Sequence, residues 1–263
     1  MLRNTSRMNG YAIAASDGTI GMIDDFLFDD ITWSIRWVVV DTGIWLSGRK
    51  VLLPPSVLGH PNDDARQFPV RLTMQQIKDS PDIDTQRPVS RQMETDVYGY
   101  YGWTPYWSSG FYMGAALMGS PMPAAPPQSS FEDAEGSAIP EHNDDDPHLR
   151  SAKAVTGYHI HASDGAIGHI EELLTEEEDW TIRYLVVDTK NWWPGKKVLI
   201  LPNLVRKIDW LSQQASLAVD RQTIKDSPEY DPTMTIGRPY EHSLLAHYGI
   251  GGTPYRTTVP PMF

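Results

Sequence analysis

One stretch of this sequence occurs twice, and each residue of the second copy lies 147 positions after its partner in the first. Residues 10–21 read GYAIAASDGTIG, and residues 157–168 read GYHIHASDGAIG. Between residues 10 and 58, 24 of 49 positions are identical to their partners, which is far more than chance produces. The repeat predicts two copies of one domain of roughly 100 residues, and an activity that depends on a pair of domains.

The segment between the copies differs from both in composition. We place the first domain at residues 7–106, the second at 153–255, and a linker at 107–152. The linker holds the run PMPAAPP at residues 121–127 and an acidic stretch at 132–146. Because such a composition buries too little apolar surface to offset the entropy of ordering, the linker is predicted to be mostly disordered.

Within each copy, short apolar and β-branched runs alternate with turn signals, which indicates β-strands. Ser-Asp-Gly turns at residues 16–18 and 163–165 predict a hairpin in each copy. The predicted strands of the first copy are residues 10–15, 19–28, 33–40, 51–53 and 67–72. Thr73 and Asp220 mark the start of a short helix, the first with a capping-box pattern. The predicted fold class is all-β, with two tandem small β-barrels that each carry a short helix and an irregular aromatic tail.

Charge and composition exclude several classes of function. With 34 acidic and 22 basic residues the net charge is −12 and the isoelectric point is near 5.0, which disfavours binding to nucleic acid. The absence of cysteine excludes disulfides, thiolate catalysis and cysteine-ligated metals. No run approaches the ~20 apolar residues of a transmembrane helix, and the N-terminus does not read as a secretory signal. We therefore expect a cytoplasmic protein without a transmembrane anchor.

The repeated motifs resemble those of the PRC-barrel domain family. The matching residues of the first copy are Asp17-Gly18-x-Ile20-Gly21, Asp24-Asp25, Trp33-x-Ile35-Arg36-x-x-Val39-Val40-Asp41-Thr42 and Gly48-x-Lys50-Val51-Leu52-Leu53-Pro54. This family includes the barrel of the H subunit of photosynthetic reaction centres and the C-terminal domain of the ribosome maturation factor RimM. The resemblance implies small barrels that dock onto another macromolecular assembly. As the domain is duplicated, we expect the two barrels to pack together pseudo-symmetrically, as in a homodimer.

Ten residues at matched positions are assigned a structural role. They are Asp17, Gly18, Gly21, Arg36 and Asp41 in the first copy and Asp164, Gly165, Gly168, Arg183 and Asp188 in the second. The arginine and the last aspartate of each copy are expected to form an ion pair, although matched buried charges are also consistent with a binding site. The acidic pairs at residues 24–25 and 171–172 are interpreted as structural or solvated, because neighbours on a strand point to opposite faces.

Three histidines distinguish the second copy from the first. His159, His161 and His169 stand where the first copy has two alanines and a methionine. His159 and His161 share a strand face. The position of His169 depends on the hairpin loop: a three-residue loop places it opposite His159, and a two-residue loop places it on the other face. We favour ordinary surface histidines, and a metal or proton-transfer site is the weak alternative.

Large aromatic residues in loops and tails are the candidate binding residues. They are Trp45, Trp192, Trp193, Tyr100, Tyr101 and Trp103. Exposed aromatic patches mark protein interfaces or contacts with a membrane surface. For the tail residues, packing against their own barrel is the alternative interpretation.

The sequence carries no phosphate-binding loop, dinucleotide fingerprint, nucleophile elbow or HExxH motif. It therefore predicts a non-catalytic protein without a cofactor. Our leading hypothesis is a tandem PRC-barrel interaction or assembly module that docks on a protein complex or self-associates. The resemblance to the reaction-centre subunit implies a membrane redox complex as partner, with a peripheral membrane contact. Two alternatives stay open: a RimM-like ribosome or RNA-processing factor, and a stress protein that binds a small ligand or a metal.

Overall fold

Strands dominate the structure of this protein. The computed structural model describes residues 1–46, 48–81, 91–105, 149–189 and 195–250. Within these residues the chain forms two mixed β-sheets and a few short helices. The prediction of a predominantly β protein is therefore confirmed.

The first half of the chain contributes six strands. In chain order its elements are β1 (Leu2–Asn4), α1 (Thr5–Met8), β2 (Ala12–Ala15), β3 (Gly18–Asp29), β4 (Ile35–Asp41), β5 (Lys50–Leu53), β6 (Gln67–Pro69), α2 (Met74–Lys78) and α3 (Arg91–Tyr101). Helix α2 begins at the predicted capping box, in which Gln76 Oε1 accepts a hydrogen bond from Thr73 N at 2.9 Å and Thr73 Oγ1 accepts one from Gln76 N at 3.2 Å.

The second half follows the same plan. Its elements are β7 (Leu149–Ser151), α4 (Ala152–Val155), β8 (His159–Ala162), β9 (Gly165–Glu176), β10 (Ile182–Asp188), β11 (Lys197–Ile200), β12 (Val205–Asp209), β13 (Gln214–Leu217), α5 (Arg221–Asp226) and α6 (Arg238–His247). Asp220 caps α5 as predicted, because its Oδ1 accepts a hydrogen bond from Thr223 N at 2.7 Å. Among the described residues, no helix is long and apolar enough to cross a membrane.

The strand order is the same in both sheets, except that the second sheet has one further strand at its end. It is β5-β4-β3-β2-β6 in the first sheet and β11-β10-β9-β8-β13-β12 in the second. Neighbours are antiparallel except for the pairs β2–β6 and β8–β13, which are parallel. Among the described strands neither sheet closes on itself, since the two end strands of each are not paired with one another.

Each sheet also receives one strand from the other half of the chain. Strand β1 pairs with β9 of the second sheet, with Leu2 opposite Glu176, and β7 pairs with β3 of the first sheet, with Leu149 opposite Asp29. These two registers are related by the same 147-residue shift as the sequences. Residues 2–8 and 149–155, which we call the exchanged arms, therefore cross between the halves. The second arm includes the end of the predicted linker, whose residues 107–148 lie outside the described residues.

A carboxylate of the receiving sheet holds each exchanged arm in place. Asp25 on β3 accepts hydrogen bonds from Ser151 Oγ and from Lys153 N. At the matching position on β9, Glu172 accepts one from Thr5 Oγ1 at 3.0 Å. The acidic pairs seen in the sequence thus provide anchors for the arms.

An arginine of each exchanged arm forms a second, matching contact. Arg3 Nε lies 2.8 Å from Glu177 Oε2, and Arg150 Nε lies 3.1 Å from Asp30 Oδ2. The leucine before each arginine is repeated as well. The repeated contacts therefore extend back to residues 2 and 149.

The two sheets meet at a pseudo-two-fold axis. Ile35 N donates a hydrogen bond to Trp180 O, and Ile182 N donates one to Trp33 O, each at 2.8 Å. The 147-residue shift converts one of these bonds into the other, which is the signature of a two-fold relation. One cluster of buried side chains runs through both halves, so the two copies share a single core.

Residues 98–101 of the first predicted aromatic tail belong to α3, so the prediction of an irregular tail is wrong over these residues, and α6 ends at His247, where the second predicted tail begins. Val97 and Tyr98 of α3 bury against the outer face of β4 around Trp37. Leu244 and Leu245 of α6 are buried in the corresponding way. Burial against the sheet stabilises helices whose apolar pattern is too short to identify from the sequence.

A carboxylate also joins each tail helix to its sheet. Glu94 is fully buried and accepts a hydrogen bond from Trp37 Nε1 at 2.6 Å. At the matching positions Glu241 accepts one from the Tyr184 hydroxyl at 2.9 Å. Burial and the neighbouring Glu241 raise the pKa of Tyr184, which keeps this hydroxyl protonated as the donor.

We expect Glu94→Ala to lower the free energy of unfolding by about 2–3 kcal/mol, because it leaves the buried indole N–H of Trp37 without this acceptor. Glu241→Ala is the matched control, and we expect a smaller loss of about 1 kcal/mol because the Tyr184 bond is only partly buried. Urea unfolding followed by tryptophan fluorescence measures both. Equal losses in the two variants would contradict the role given to burial.

Candidate functional site

The turn residues assigned a structural role tie each hairpin to the short helix beyond the sheet. Asp17 Oδ1 and Asp164 Oδ1 each accept a hydrogen bond, at 2.8 Å, from the first backbone amide of α2 or α5. A Cβ at Gly18 would lie 2.6 Å from Met74 Sδ, and Gly165 has a φ of 146°. The second turn therefore depends on glycine, whereas a side chain at Gly18 would displace the flexible Met74 side chain, and each turn carries an aspartate that accepts from a helix amide.

The second glycine of each motif allows two strands to approach closely. A Cβ at Gly21 would lie 2.1 Å from Asp41 O, and one at Gly168 would lie 1.9 Å from Asp188 O. Any side chain here would overlap a backbone carbonyl. These glycines allow the close approach of the antiparallel neighbours β3 and β4, and of β9 and β10.

The predicted ion pair between Arg36 and Asp41 does not form, because the two residues lie at opposite ends of β4, roughly 16 Å apart in an extended strand. Arg36 Nη2 instead lies 4.0 Å from Asp29 Oδ2. In the second half, Arg183 Nη2 lies 2.5 Å from Asp179 Oδ2. Each arginine therefore braces the loop that precedes its own strand.

The two carboxylates of the first acidic pair have different environments. Asp24 contacts Lys50 Nζ at 2.8 Å and Lys153 Nζ at 3.0 Å. The hydrogen bond from Lys50 lowers the pKa of Asp24. Burial under the exchanged arm raises the pKa of Asp25. The two neighbours therefore respond to pH in opposite directions.

We expect Asp25→Asn to keep or raise stability at pH 7. A raised pKa means that the folded chain binds this proton more tightly than the unfolded chain, so the stabilisation is present at acid pH and is lost as the pH rises through the folded-state pKa. Asparagine imitates the protonated acid and removes this pH dependence. The measurement is the thermal unfolding midpoint across acid and neutral pH.

Asp24→Asn is the control for this prediction. The pKa of Asp24 is lower in the folded chain than in the unfolded chain, where it is near 3.8. The charged carboxylate therefore stabilises the fold above that pH, and this contribution is lost as the pH falls. The Asp24→Asn variant should therefore be the less stable of the two at pH 7. The reverse order at pH 7 would show that burial of Asp25 is not costly.

The hairpin register brings two of the three histidines together. His169 lies opposite His159, although only two residues separate β8 from β9. A two-residue loop alone predicts that His169 lies on the other face from His159. The bulge between Ile160 and His161 shifts the register and places the two histidines opposite each other. Within the part of the chain that the structure describes, no three His, Cys, Asp or Glu side chains form a group that could hold a metal ion.

The predicted aromatic binding residues lie in separate places. Trp45 is half-buried in the single turn of 3-10 helix Gly43–Leu46. Tyr100 is 41% exposed, and its hydroxyl donates a hydrogen bond to a carbonyl of α2 at 2.9 Å. Trp192 and Trp193 lie outside the described residues.

The other two candidates continue a row of rings that starts in the core. Trp37 contacts Tyr98 edge to face at 5.1 Å, and Tyr98 contacts Trp103 in the same way at 6.3 Å between ring centroids. Tyr101 stacks on Trp103 at 4.1 Å, and burial raises the pKa of Tyr101. This stacking holds Trp103 in one orientation at the surface.

Trp103 lines a solvent-open groove of about 590 Å³ where the two halves of the chain meet. We call it the aromatic groove. One wall comes from the first half and the other from the second, and its principal lining residues are Arg36, Pro55, Tyr98, Trp103, Glu178 and Trp180. The groove therefore exists only because the two copies are joined.

The pseudo-two-fold axis generates a second groove of about 390 Å³, which we call the counterpart groove. Trp33, Arg183 and Pro202 line it at the positions that match Trp180, Arg36 and Pro55. Ile31 and Thr32 replace the two acidic residues, and no aromatic side chain from the described part of α6 lines this groove. The two grooves thus share a backbone plan and differ in chemistry.

A tryptophan with unusual backbone geometry lies at the base of each groove. Trp33 has a φ of 57° and Trp180 a φ of 54°, in the left-handed region that bulky residues avoid. Such a conformation costs roughly 1–3 kcal/mol and persists where the surroundings hold it. In each half this conformation lets the tryptophan carbonyl accept the hydrogen bond from the isoleucine amide of the other half. The strained residue is therefore part of the junction between the copies.

Sequence reasoning identified Trp103 but missed Glu178 and Trp180, the residues of the opposite wall. A signal for them was available. Trp180 is repeated at the shift of 147, whereas positions 31 and 32 change from Ile-Thr to Glu-Asp at 178 and 179. A repeated loop with one changed segment points to a surface that has diverged between the copies.

Comparison with known proteins adds no name to this site. No model of a known protein family matches the chain, and no curated protein matches its sequence.

Proposed function

We propose that this chain is a non-catalytic tandem PRC-barrel module that binds another protein assembly through the aromatic groove. The observation that supports this most directly is the difference between the two grooves. The pseudo-two-fold axis preserves their backbone and one tryptophan in each, while Trp103, Glu178 and Asp179 line the aromatic groove and Asp30, Ile31 and Thr32 line its counterpart. Rigid frameworks that carry variable loop residues are the usual arrangement of a binding surface.

In this proposal each sheet corresponds to one small PRC-type barrel, left open between its end strands. The repeated motifs support the assignment, because they lie at the hairpin turn and at the central strands β4 and β10. Bulges interrupt the pairing of β3 with β4 and of β9 with β10. Bulges increase twist and bend a sheet toward closure.

The partner class follows from the resemblance to the reaction-centre H subunit. We propose that the protein docks from the cytoplasm on a membrane redox complex and needs no transmembrane anchor for this contact. The net charge of −12 and the carboxylates at the groove favour a protein surface over a nucleic acid.

Affinity capture with variants tests the proposal. Tagged wild-type protein, Trp103→Ala and Ile31→Lys are incubated with nuclease-treated lysate that includes detergent-solubilised membranes. We expect the wild type and Ile31→Lys to retain the same set of membrane-complex subunits and Trp103→Ala to lose it. Equal capture by Trp103→Ala would contradict the groove, and recovery of ribosomal particles alone would favour the RimM-like alternative.

A further inference from the structure

The shape of the aromatic groove suits a segment of polypeptide. It is open to solvent along its length and has a volume of about 590 Å³. Pockets for small molecules enclose most of the ligand surface, which an open cleft does not do. An extended chain crossing the groove would bury one face and leave the other in water.

The lining of the groove selects for proline. Trp103 presents an indole surface, and Pro54 and Pro55 lie beside it, whereas the ring of Trp180 contacts the buried Phe26 and Phe68 at the base of the groove. Grooves lined by aromatic residues bind proline-rich segments, which are already extended and lose little entropy on binding. Trp103 is held by its stack on Tyr101, so this surface is organised before a partner arrives.

The charge of the groove selects for a cationic segment. Glu178 and Asp179 line it and are exposed, while Arg36 lines the other wall and Asp179 is paired with Arg183, so the preference for a cation rests on Glu178. The chain as a whole carries a net charge of −12, so the long-range field also attracts cations. In the counterpart groove, isoleucine and threonine occupy the matching positions.

The proline run of this chain lacks the complementary charge. Residues 108–148 contain the run PMPAAPP but no lysine or arginine, and they are acidic after residue 131. Glu178 and Asp179 would repel such a segment. This run is therefore not the occupant, and under the proposed function the segment comes from the partner protein.

We propose that the aromatic groove binds an extended, proline-containing segment that carries arginine or lysine, supplied by the partner protein. This inference rests on the proposed function and specifies its partner. Proline rings pack against Trp103, and a basic side chain at the flank contacts Glu178.

Fluorescence anisotropy with a labelled peptide, Arg-Pro-Leu-Pro-Pro-Leu-Pro-Arg, tests this on the full chain. We expect a dissociation constant in the micromolar range that rises with salt, as the charged contact requires. Trp103→Ala should weaken binding about tenfold or more, as loss of an aromatic anchor does. Glu178→Lys should weaken it several-fold and reduce the salt dependence. Ile31→Lys, the same change at the matching position of the counterpart groove, should leave binding unchanged.

Two control peptides complete the experiment. A peptide with both arginines replaced by glutamate should not bind, and neither should a peptide of residues 119–129. The inference is overturned if Glu178→Lys and Ile31→Lys have equal effects, or if the peptide of residues 119–129 binds as tightly as the basic one. Glu178→Lys changes an exposed residue, so this comparison holds even if Trp103→Ala fails to fold.

The outcome separates this inference from the proposed function. If the basic peptide does not bind while lysate capture still depends on Trp103, the groove binds a partner of different chemistry and only this inference fails. If capture is also independent of Trp103, both proposals fail.

Discussion

Cutting the chain between its repeats is expected to leave the two halves bound to each other. Each exchanged arm lies on the sheet of the other half, and the halves share one hydrophobic core. Separation would require both arms to detach and the core to be exposed. Interfaces of this obligate kind are large and apolar, so we expect the cleaved halves to dissociate only below nanomolar concentrations, as for a free energy of about −12 kcal/mol or stronger.

A protease site inserted between residues 121 and 146 allows the measurement. After cleavage the halves should elute together from a sizing column and appear as a 1:1 pair by native mass spectrometry. Removal of residues 2–8 is the matched variant, and we expect it to weaken the association strongly because β9 loses a strand and Glu172 loses Thr5. Separate elution of the intact halves at micromolar concentration would contradict the exchange of arms.

Gly168→Ala is expected to be among the most destabilising single substitutions in this chain. The added Cβ would overlap the carbonyl oxygen of Asp188, which lies 1.9 Å from its position, and neither backbone can move without breaking the pairing of β9 with β10. We expect a loss of more than about 3 kcal/mol in the free energy of unfolding, in the upper range for point mutations. Gly21→Ala should behave similarly because its Cβ would lie 2.1 Å from Asp41 O.

Gly99→Ala serves as the control for both substitutions. Gly99 is exposed on α3, and a Cβ there meets no atom within 4 Å. Replacing a helical glycine by alanine should stabilise the protein by about 0.5–1 kcal/mol. Chemical unfolding of the three variants checks the set, and a comparable loss in Gly99→Ala would show that loss of glycine flexibility, rather than overlap, is the cause.

The regular parts of the fold follow from local sequence patterns. The hairpin turns, the alternating strands and the capped helices α2 and α5 carry their signals within a few residues. The strands β1 and β7 do not, because three residues are too few to show a period and their partners lie more than 100 positions away. Their anchors, Asp25 and Glu172, each belong to an acidic pair in the sequence. Local patterns do not identify the partners of these carboxylates, because the partners lie on the exchanged arms.

The candidate site was likewise only partly predictable from the sequence. Trp103 stands out as an aromatic residue near the end of a tail. Its neighbours across the groove, Glu178 and Trp180, come from the other copy, and only the pseudo-two-fold packing brings them there. Long-range association of two repeats is a tertiary property, which patterns within one repeat do not encode.

The chemical difference between the two grooves has a consequence for valency. A homodimer of a single repeat would carry two identical grooves and could cross-link its partners into larger arrays. This chain has the same two-fold framework but carries the Trp103, Glu178 and Trp180 set in one groove. Under the proposed function, fusion of the copies converts a bivalent connector into a monovalent one, which binds one partner molecule and terminates an assembly instead of extending it.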